Sequence, residues 1–385
     1  MDSIAPGADR EAPLFYRSIS RTRSGILPGS TRSPRRSITG NRMMPFAAIH
    51  LGPLQISVLA TWGLVILVIG IILRIFLQER RKDRILCLLY HRVVPADVYA
   101  GFKERERIFS VSAEQFAAQL DWLKDNGHHF VTMDQVVAYL KEETPLPDKP
   151  VFLSFDDGCE SVYSQALPLL TQRNIPATVF VTTDADTWIF NSGEYHERRM
   201  TEEEIKACHE GGIQVHSHAV SHRGLNEMSP ADALHEMVES KRLLSEWISD
   251  DVRYFSIPLN FYNSATLKLC QEAGYDAVCV CDGATTNGGT SAFRIRRFIV
   301  EGSWGIRQFE NSLQPRSVAQ RRVISFLKKV PPKLLGEKRW MPLRARIFRS
   351  RLGPRLNFPN LRRAVLVAGF AVFCGLLAVT FVAFP

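Results

Sequence analysis

Residues 151–158 read VFLSFDDG, and this stretch decides how the middle of the chain folds. Val151–Phe155 is almost entirely apolar, which is the pattern of a strand buried on both faces. Two adjacent carboxylates, Asp156 and Asp157, follow it directly, and Gly158 then permits a turn. Because catalytic groups in α/β barrels lie at the carboxyl ends of strands, we predict a functional site here. The alternative from these residues alone is a strand-ending turn with solvated acids.

A second polar cluster, VHSHAVSHR at 215–223, follows another short apolar run. His218 and His222 are four residues apart, so on a helical turn they would share one face and could bind one metal ion. His216 lies two residues before His218 and is expected to point elsewhere. Two histidines and one carboxylate leave coordination positions open for water and substrate. The two clusters together predict a divalent-metal site.

Strand-like runs alternate with helical patterns over residues 85–313. The strands are predicted at 85–90, 151–155, 178–181, 214–215, 254–257 and 277–280, and the helices at 112–126, 133–141, 160–173, 201–211, 230–247 and 264–273. Ser112 with Gln115, and Thr201 with Glu204, have the spacing of capping boxes. The alternation predicts a parallel α/β fold, either a barrel or a doubly wound sheet.

The chain from about Ile85 to Glu310 resembles the polysaccharide deacetylases that share the NodB homology domain, carbohydrate esterase family 4. The motifs that carry the resemblance are LLYHRV at 88–93, FLSFDDG at 152–158, ALPLLTQRNIPATVFV at 166–181, SHAVSH at 217–222 and FRIRRFIV at 293–300. The resemblance implies a distorted (β/α) barrel of seven strands and a divalent metal, most often zinc. It also implies a hydrolase that removes N-acetyl groups from N-acetylhexosamine units of a polysaccharide or a lipid-linked saccharide.

The resemblance assigns roles to individual residues. Asp157, His218 and His222 correspond to the metal ligands, and Asp156 corresponds to the general base that activates water. His91, in the LLYHRV motif, resembles a histidine that protonates the leaving amine. Its alternative is a histidine at a strand end whose nitrogens are satisfied by the protein itself.

The third family motif is altered in this sequence. Leu259 stands where the family has a tyrosine, but it keeps a backbone N–H that could serve an oxyanion. Asn260 can adopt a left-handed conformation in place of glycine. The family's arginine at the position of Ser256 is absent. We predict that Arg297 replaces it as a catalytic-site residue, with Arg296 as the alternative.

The charge distribution argues against a nucleic-acid-binding core. Of the net charge of +9, residues 1–50 carry +5 and residues 313–363 carry +14, which leaves −10 for residues 51–312. A nucleic-acid-binding domain is normally basic itself, whereas basic flanks around an acidic domain suit a membrane surface. The seven cysteines form no CxxC pair, so we predict buried free thiols.

Two uncharged runs, 56–73 and 364–384, are long enough to cross a bilayer. We therefore predict a basic disordered segment at 1–50, a transmembrane helix at 54–77, the deacetylase-like domain at 85–313, a basic membrane-proximal segment at 314–363 and a second transmembrane helix at 364–384. Lys and Arg are denser on the side of the central domain, which predicts that this domain faces the cytosol. The expected partners are the membrane and an acetylated saccharide.

Two other functions stay open from the sequence. A different amide hydrolase on the same scaffold, such as a deformylase of a lipid-linked amino sugar, would use the same metal site. A catalytically impaired protein that binds a glycan would account for the altered third motif. Retention of Asp156 and of all three predicted ligands argues against the latter, because unused ligands would leave costly buried polar groups.

Overall fold

The structure is a computed structural model that describes residues 53–142, 144–184 and 190–335. Side chains are described for all of these except 53, 54, 56, 57 and 326–335. The predicted disordered segment at 1–50 and the predicted second transmembrane helix at 364–384 lie outside the described residues.

Helices and strands alternate through the described part of the chain. The helices are α1 (Pro53–Glu79), α2 (Ala96–Ala100), α3 (Ala113–Asp125), α4 (Met133–Glu142), α5 (Leu167–Arg173), α6 (Glu202–Glu210), α7 (Pro230–Ile248), α8 (Ser264–Glu272), α9 (Ile306–Leu313) and α10 (Pro315–Leu335). The strands are β1 (Leu86–Tyr90), β2 (Arg92–Val94), β3 (Ser110–Ser112), β4 (His129–Val131), β5 (Pro150–Phe155), β6 (Ala177–Val181), β7 (Phe190–Ser192), β8 (Tyr195–Glu197), β9 (Ile213–Ser217), β10 (Tyr254–Ser256), β11 (Ala277–Val280), β12 (Ile295–Arg296) and β13 (Phe298–Ile299). The predicted strands and helices are all present, and both predicted capping boxes form.

Nine parallel strands form one sheet in the order β12-β11-β10-β9-β6-β5-β1-β13, with β4 beside the first half of β5. The two ends of this sheet are neighbours in sequence, because only Arg297 separates β12 from β13. β12 pairs with β11, and β13 pairs with β1. The segment 295–299 therefore brings the two edges together, and the sheet forms a nearly closed barrel rather than an open doubly wound sheet.

Alternate residues of the barrel strands face either the barrel interior or the surrounding helices. The inner cluster includes Cys87, Phe152, Phe180 and Cys279. The outer cluster includes Leu88, Leu153, Val179 and Val278, packed with residues of α3, α5 and α7. Met133 and Val136 of α4 join the inner cluster. We call the end where the strands begin the lower pole, and the end where they finish the upper pole.

α1 is the one helix of the described residues that is long and apolar enough to cross a membrane, from Val58 to Glu79. Its exposed large apolar side chains are Leu59, Leu64, Ile66, Leu67, Ile69, Leu73 and Leu77. A helix with this surface fits a membrane anchor or a signal segment.

Candidate metal and catalytic site

The polar residues of the two sequence clusters meet at the upper pole. Asp156 and Asp157 follow β5, and His218 follows β9. Backbone bonds continue the sheet beyond the strand ends: Asp156 N donates to Tyr90 O at 3.1 Å, and His218 N donates to Val181 O at 2.8 Å. All three side chains line one cavity of ≈ 630 Å³. The prediction of a site at the strand ends thus matches the arrangement of these residues.

Asp157, His218 and His222 bring three ligand atoms within 4.8 Å of one another. Asp157 Oδ1 lies 3.5 Å from His218 Nε2 and 3.1 Å from His222 Nε2. His218 Nδ1 lies 2.8 Å from the carbonyl oxygen of Ser256, so Nδ1 is the donor and the lone pair of Nε2 stays available. Two imidazoles and a carboxylate, with one imidazole oriented in this way, fit a divalent ion of the zinc type.

The loop that carries His218 and His222 is not the helical turn that their spacing predicted. Ala219 and His222 have φ values of 66° and 55°, and this left-handed backbone brings the two rings to a centroid distance of 5.1 Å. Glu236 of α7 accepts hydrogen bonds from the backbone N–H groups of residues 220–221, at 2.9 and 2.8 Å. These bonds satisfy N–H groups that a helix would have paired internally.

Asp156 is held in a buried ion pair. Arg297 donates from Nη1 to Oδ1 and from Nη2 to Oδ2, both at 2.8 Å, and Ser256 donates to Oδ2 at 3.1 Å. Arg297 also donates to Ser154 at 3.0 Å. Burial raises the pKa of Asp156, but the charge of Arg297, its hydrogen bonds and the nearby His218 together outweigh burial, so the pKa lies below its ordinary value. Asp156 is therefore an ionised carboxylate of fixed orientation, and Arg297, not Arg296, is the arginine bound to it.

The turn after β5 has a left-handed backbone conformation that few non-glycine residues adopt. Asp157 has a φ of 76°, which for a non-glycine residue costs about 1–3 kcal/mol. A Cβ at Gly158 would lie 2.9 Å from a methyl group of Val181, so glycine is required there. The buried Arg199 donates to the carbonyl oxygens of Asp157 and Thr182, at 3.4 and 3.2 Å. Sequence reasoning missed Arg199, because its position far along the chain gives no sign of this contact.

His91 follows β1 and lines the same cavity. Its ring packs edge-on against Phe109, with centroids 4.9 Å apart. Burial lowers the pKa of His91, so the ring is neutral near pH 7. Its Nδ1 is buried and has no hydrogen-bond partner among the described residues. The alternative of a strand-end histidine satisfied by the protein is therefore disfavoured.

The altered third motif forms a turn at the cavity edge. Leu259 and Asn260 have φ values of 56° and 55°, so Asn260 is left-handed as expected. The Asn260 amide donates to the carbonyl of Cys281 at 3.0 Å and accepts from the backbone N–H of Cys281 at 2.8 Å. These bonds fix the turn against the end of β11, while Leu259 stays 52% exposed and lines the cavity.

Two further segments complete the cavity wall, and the sequence analysis named neither of them. Their lining residues are Arg105, Glu106, Phe109, Phe190 and Asn191. Arg92 connects the two segments, because its guanidinium lies 3.7 Å from the centroid of Phe190 and donates to Ser110 at 2.9 Å. The one indication in the sequence that either segment belongs to the cavity was that residues 92–110 lie close to the LLYHRV motif along the chain.

The remaining predicted features lie away from the cavity. His216 is inside the barrel, edge-on to Tyr254 at 4.6 Å between ring centroids; it faces the same side of the sheet as His218 but lies away from the ligand set. The six cysteines in the described part of the chain are free, and five of them are buried, as predicted. Cys374 lies outside the described residues.

Comparison with known proteins identifies sequence relatives of the barrel. The sequence model of the family described as polysaccharide deacetylase matches residues 143–278. The Bacillus subtilis protein YxkH is 30% identical over 182 residues, which are 47% of this chain and 61% of that relative's length. The poly-β-1,6-N-acetyl-D-glucosamine N-deacetylase of Staphylococcus aureus is 26% identical over 212 residues, which are 50% of this chain and 71% of the relative.

Solved structures share the fold of the barrel. The Streptococcus pyogenes deacetylase PplD aligns with a TM-score of 0.53 and 22% identity, over 61% of this chain and 100% of PplD. A de-N-acetylase of Aggregatibacter actinomycetemcomitans aligns with a TM-score of 0.50 and 20% identity, over 60% of this chain and 99% of the other. The fold is thus shared with deacetylases of known structure, and the barrel is similar in sequence to polysaccharide deacetylases.

Proposed function

We propose that this chain is a metal-dependent hydrolase that removes N-acetyl groups from N-acetylhexosamine units of a polysaccharide. The observation that carries the proposal is one cavity that holds both an Asp-His-His ligand set and a second carboxylate fixed by Arg297. A divalent ion bound there would polarise the acetyl carbonyl. It would also lower the pKa of the attacking water, which becomes a stronger nucleophile when it loses a proton. The match of residues 143–278 to the polysaccharide deacetylase model and the N-deacetylase name of the Staphylococcus aureus relative support an N-acetylated sugar as substrate.

The two adjacent carboxylates would have different roles in the reaction. Asp157, with His218 and His222, would hold the ion, and Asp156 would accept the proton of the attacking water. Asp156 Oδ2 lies 4.0 Å from His218 Nε2, so the base is next to the ligand set. Because Arg297 and Ser256 already fix the Asp156 carboxylate, no reorganisation is needed when it accepts the proton.

The leaving amine needs a proton when the C–N bond breaks. His91 lines the same cavity, and its Nδ1 has no hydrogen-bond partner among the described residues, so the neutral ring would first take up the proton that Asp156 removes from the water and would then pass a proton to the sugar nitrogen. The backbone N–H of Leu259, at the cavity edge, would donate to the carbonyl oxygen as negative charge develops there. The water oxygen ends in acetate, and the sugar leaves with a free amine.

Acetate release from soluble N-acetylglucosamine oligomers by the zinc-loaded, full-length protein tests this proposal. We expect one acetate for each free amine formed, and we expect a chelator to abolish the reaction. A metal-loaded, folded protein that releases no acetate from any N-acetylhexosamine oligomer would contradict the proposed function.

We further propose that α1 is a retained membrane anchor, that residues 364–384 form a second span, and that the barrel faces the cytosol. The exposed apolar surface of α1 supports the anchor. The basic residues Arg80, Arg81, Lys82 and Arg84, which follow α1, support the cytosolic side. The second span is supported by its uncharged sequence.

Cysteine accessibility tests the side of the membrane. Arg316 is exposed at the start of α10, so Arg316→Cys in a variant without the other thiols gives one reactive site. We expect an impermeant maleimide to label this site only after the cells are permeabilised. Labelling in intact cells would place the barrel outside the cytosol.

A further inference from the structure

The two histidines of the ligand set are held in different ways. His218 Nδ1 donates to the carbonyl oxygen of Ser256, and this bond orients the ring. His222 has no bond of this kind among the described residues: its polar contact there is with Asp157, 3.1 Å from Nε2, and its ring contact is with His218. A metal-binding imidazole is usually oriented by an acceptor at its second nitrogen. The direction of the His222 side chain therefore depends on the backbone of residues 219–222.

The backbone of this loop has an uncommon conformation at two points. Ala219 and His222 are left-handed, which non-glycine residues rarely adopt. Such a conformation persists only where the surrounding structure fixes it. On one side of the loop, the carbonyl oxygens of Ala219 and Val220 accept hydrogen bonds from the backbone N–H groups of Thr183 and Asp184, at 3.2 and 3.0 Å. The N–H groups of the loop face the other side and need acceptors there.

Glu236 of α7 supplies those acceptors. Its Oε2 accepts from the N–H groups of Val220 and Ser221, at 2.9 and 2.8 Å, and its Oε1 accepts from the Ser221 hydroxyl at 2.6 Å. Hydrogen bonds to a carboxylate are stronger than those between neutral groups. One carboxylate thus holds the two residues that directly precede His222.

α7 is a fixed support for this carboxylate. Ser240, one turn after Glu236, is buried, and its hydroxyl oxygen lies 2.7 Å from that of Ser217 at the end of β9. The hydroxyl of Tyr275 donates to the carbonyl oxygen of Met237 at 2.7 Å. These contacts fix the helix against the strand that leads to His218, so the position of the Glu236 carboxylate relative to the loop is fixed as well.

We propose that Glu236 is a positioning residue for the ligand His222 and that it sets the affinity of the site for its ion. Glu236 does not line the cavity, and its carboxylate bonds to Val220 and Ser221 rather than to a ligand side chain. It therefore acts through the loop backbone. This inference rests on the metal site of the proposed function and adds to it a residue that lies outside both polar clusters of the sequence.

Zinc affinity of the metal-free, full-length protein, measured by competition with a coloured chelator, tests this inference. We expect Glu236→Ala to weaken zinc binding by about 10–100-fold, because the loop loses its acceptors and His222 is no longer held in position. We expect Glu236→Gln to stay within about threefold of the unaltered protein. Its amide oxygen can accept from both N–H groups, and its NH₂ group can donate to the Ser221 hydroxyl.

Glu239→Ala is the matched control on the same helix. Among the described residues, the Glu239 carboxylate accepts hydrogen bonds from Arg242, at 3.0 and 2.7 Å, and does not contact the loop. We expect its zinc affinity to equal that of the unaltered protein. The visible spectrum of bound cobalt(II), which depends on ligand number and geometry, should change in Glu236→Ala and stay the same in Glu239→Ala and Glu236→Gln.

Glu236→Asp is measured beside Glu236→Ala, in case the latter does not fold. The aspartate keeps the charge, but its shorter side chain withdraws the carboxylate from the loop, so zinc affinity should again fall by about tenfold. Chemical denaturation of each metal-free variant establishes that it is folded.

Zinc binding is measured without substrate, so the failure of this inference differs from the failure of the proposed function. If folded Glu236→Ala or Glu236→Asp bound zinc as tightly as the unaltered protein, the inference would be overturned and the proposed function would stand. If the unaltered protein bound no zinc or other divalent ion, the proposed function would be overturned, and this inference with it.

Discussion

Two buried histidines at the end of β9 lie on the same face of the sheet but have different surroundings. His216 is in β9 and His218 follows its end, and they are 5% and 2% exposed. Because they are two residues apart, their side chains point to the same side of the sheet. His218 contacts the Ser256 carbonyl and Asp157. His216 lies one layer of side chains closer to the lower pole of the barrel and packs against Tyr254. Neither of its ring nitrogens has a hydrogen-bond partner in the described part of the chain.

The difference shows that depth in the barrel, not residue type, decides which histidine belongs to the site. The lower layer is lined by aromatic rings such as Phe180 and Tyr254, and burial there lowers the pKa of His216 to about 3, so it stays neutral. The upper layer adjoins the loops, which can bring carboxylates and carbonyl groups to one point. His218 is therefore oriented to bind an ion, and His216 is not.

The largest effects are expected at the two adjacent carboxylates of the upper layer. Asp157→Ala should remove both the ion and the activity, because it deletes a ligand. Asp156→Asn should keep the ion but lower kcat by about 10²–10⁴-fold, because it deletes only the base. Zinc content and acetate release, measured on the same preparations, check both results. Stoichiometric zinc in Asp157→Ala, or its loss in Asp156→Asn, would show that the roles are assigned wrongly.

The next effect concerns what holds Asp156 in place. Arg297→Met should lower the free energy of unfolding by about 3–5 kcal/mol, because it leaves a buried carboxylate without its countercharge. Adding Asp156→Asn to Arg297→Met should recover part of this loss, since the uncompensated charge is then gone. Chemical denaturation, followed by tryptophan fluorescence, measures the free energy of unfolding of the unaltered protein and of the single and double variants. A double variant no more stable than Arg297→Met alone would mean that the ion pair is not the source of the effect.

The sequence predicted most of the barrel because its signals are local. Apolar runs such as Val151–Phe155 and capping boxes such as Ser112 with Gln115 depend on neighbours within a few residues, and each appears in the structure. The two polar clusters that hold Asp157, His218 and His222 were visible in the same way, because they directly follow strands, whereas the choice of Asp157 rather than Asp156 as the ligand came from the family resemblance. A pattern within one segment is enough for predictions of this kind.

Contacts between distant segments could not be predicted in the same way. The helical turn expected between His218 and His222 was wrong, because left-handed backbone at Ala219 has no sequence signature and is held by Glu236, on the next helix. The choice between Arg296 and Arg297 likewise depended on closure of the barrel. Arg297 lies between two half-strands that pair with opposite edges of the sheet, which places its guanidinium inside.

The smallest effect is expected in the lower layer, at His216. His216→Leu replaces a buried imidazole that has no partner among the described residues with an apolar side chain of similar size, so the free energy of unfolding should change by no more than about 1 kcal/mol. Zinc content and acetate release should match those of the unaltered protein, because His216 contacts neither the ligands nor the cavity. The matched substitution His218→Leu, two residues along the same face, should lose the ion. If His216→Leu also lost zinc or activity, the two layers would be coupled, and depth in the barrel would not be what separates the two histidines.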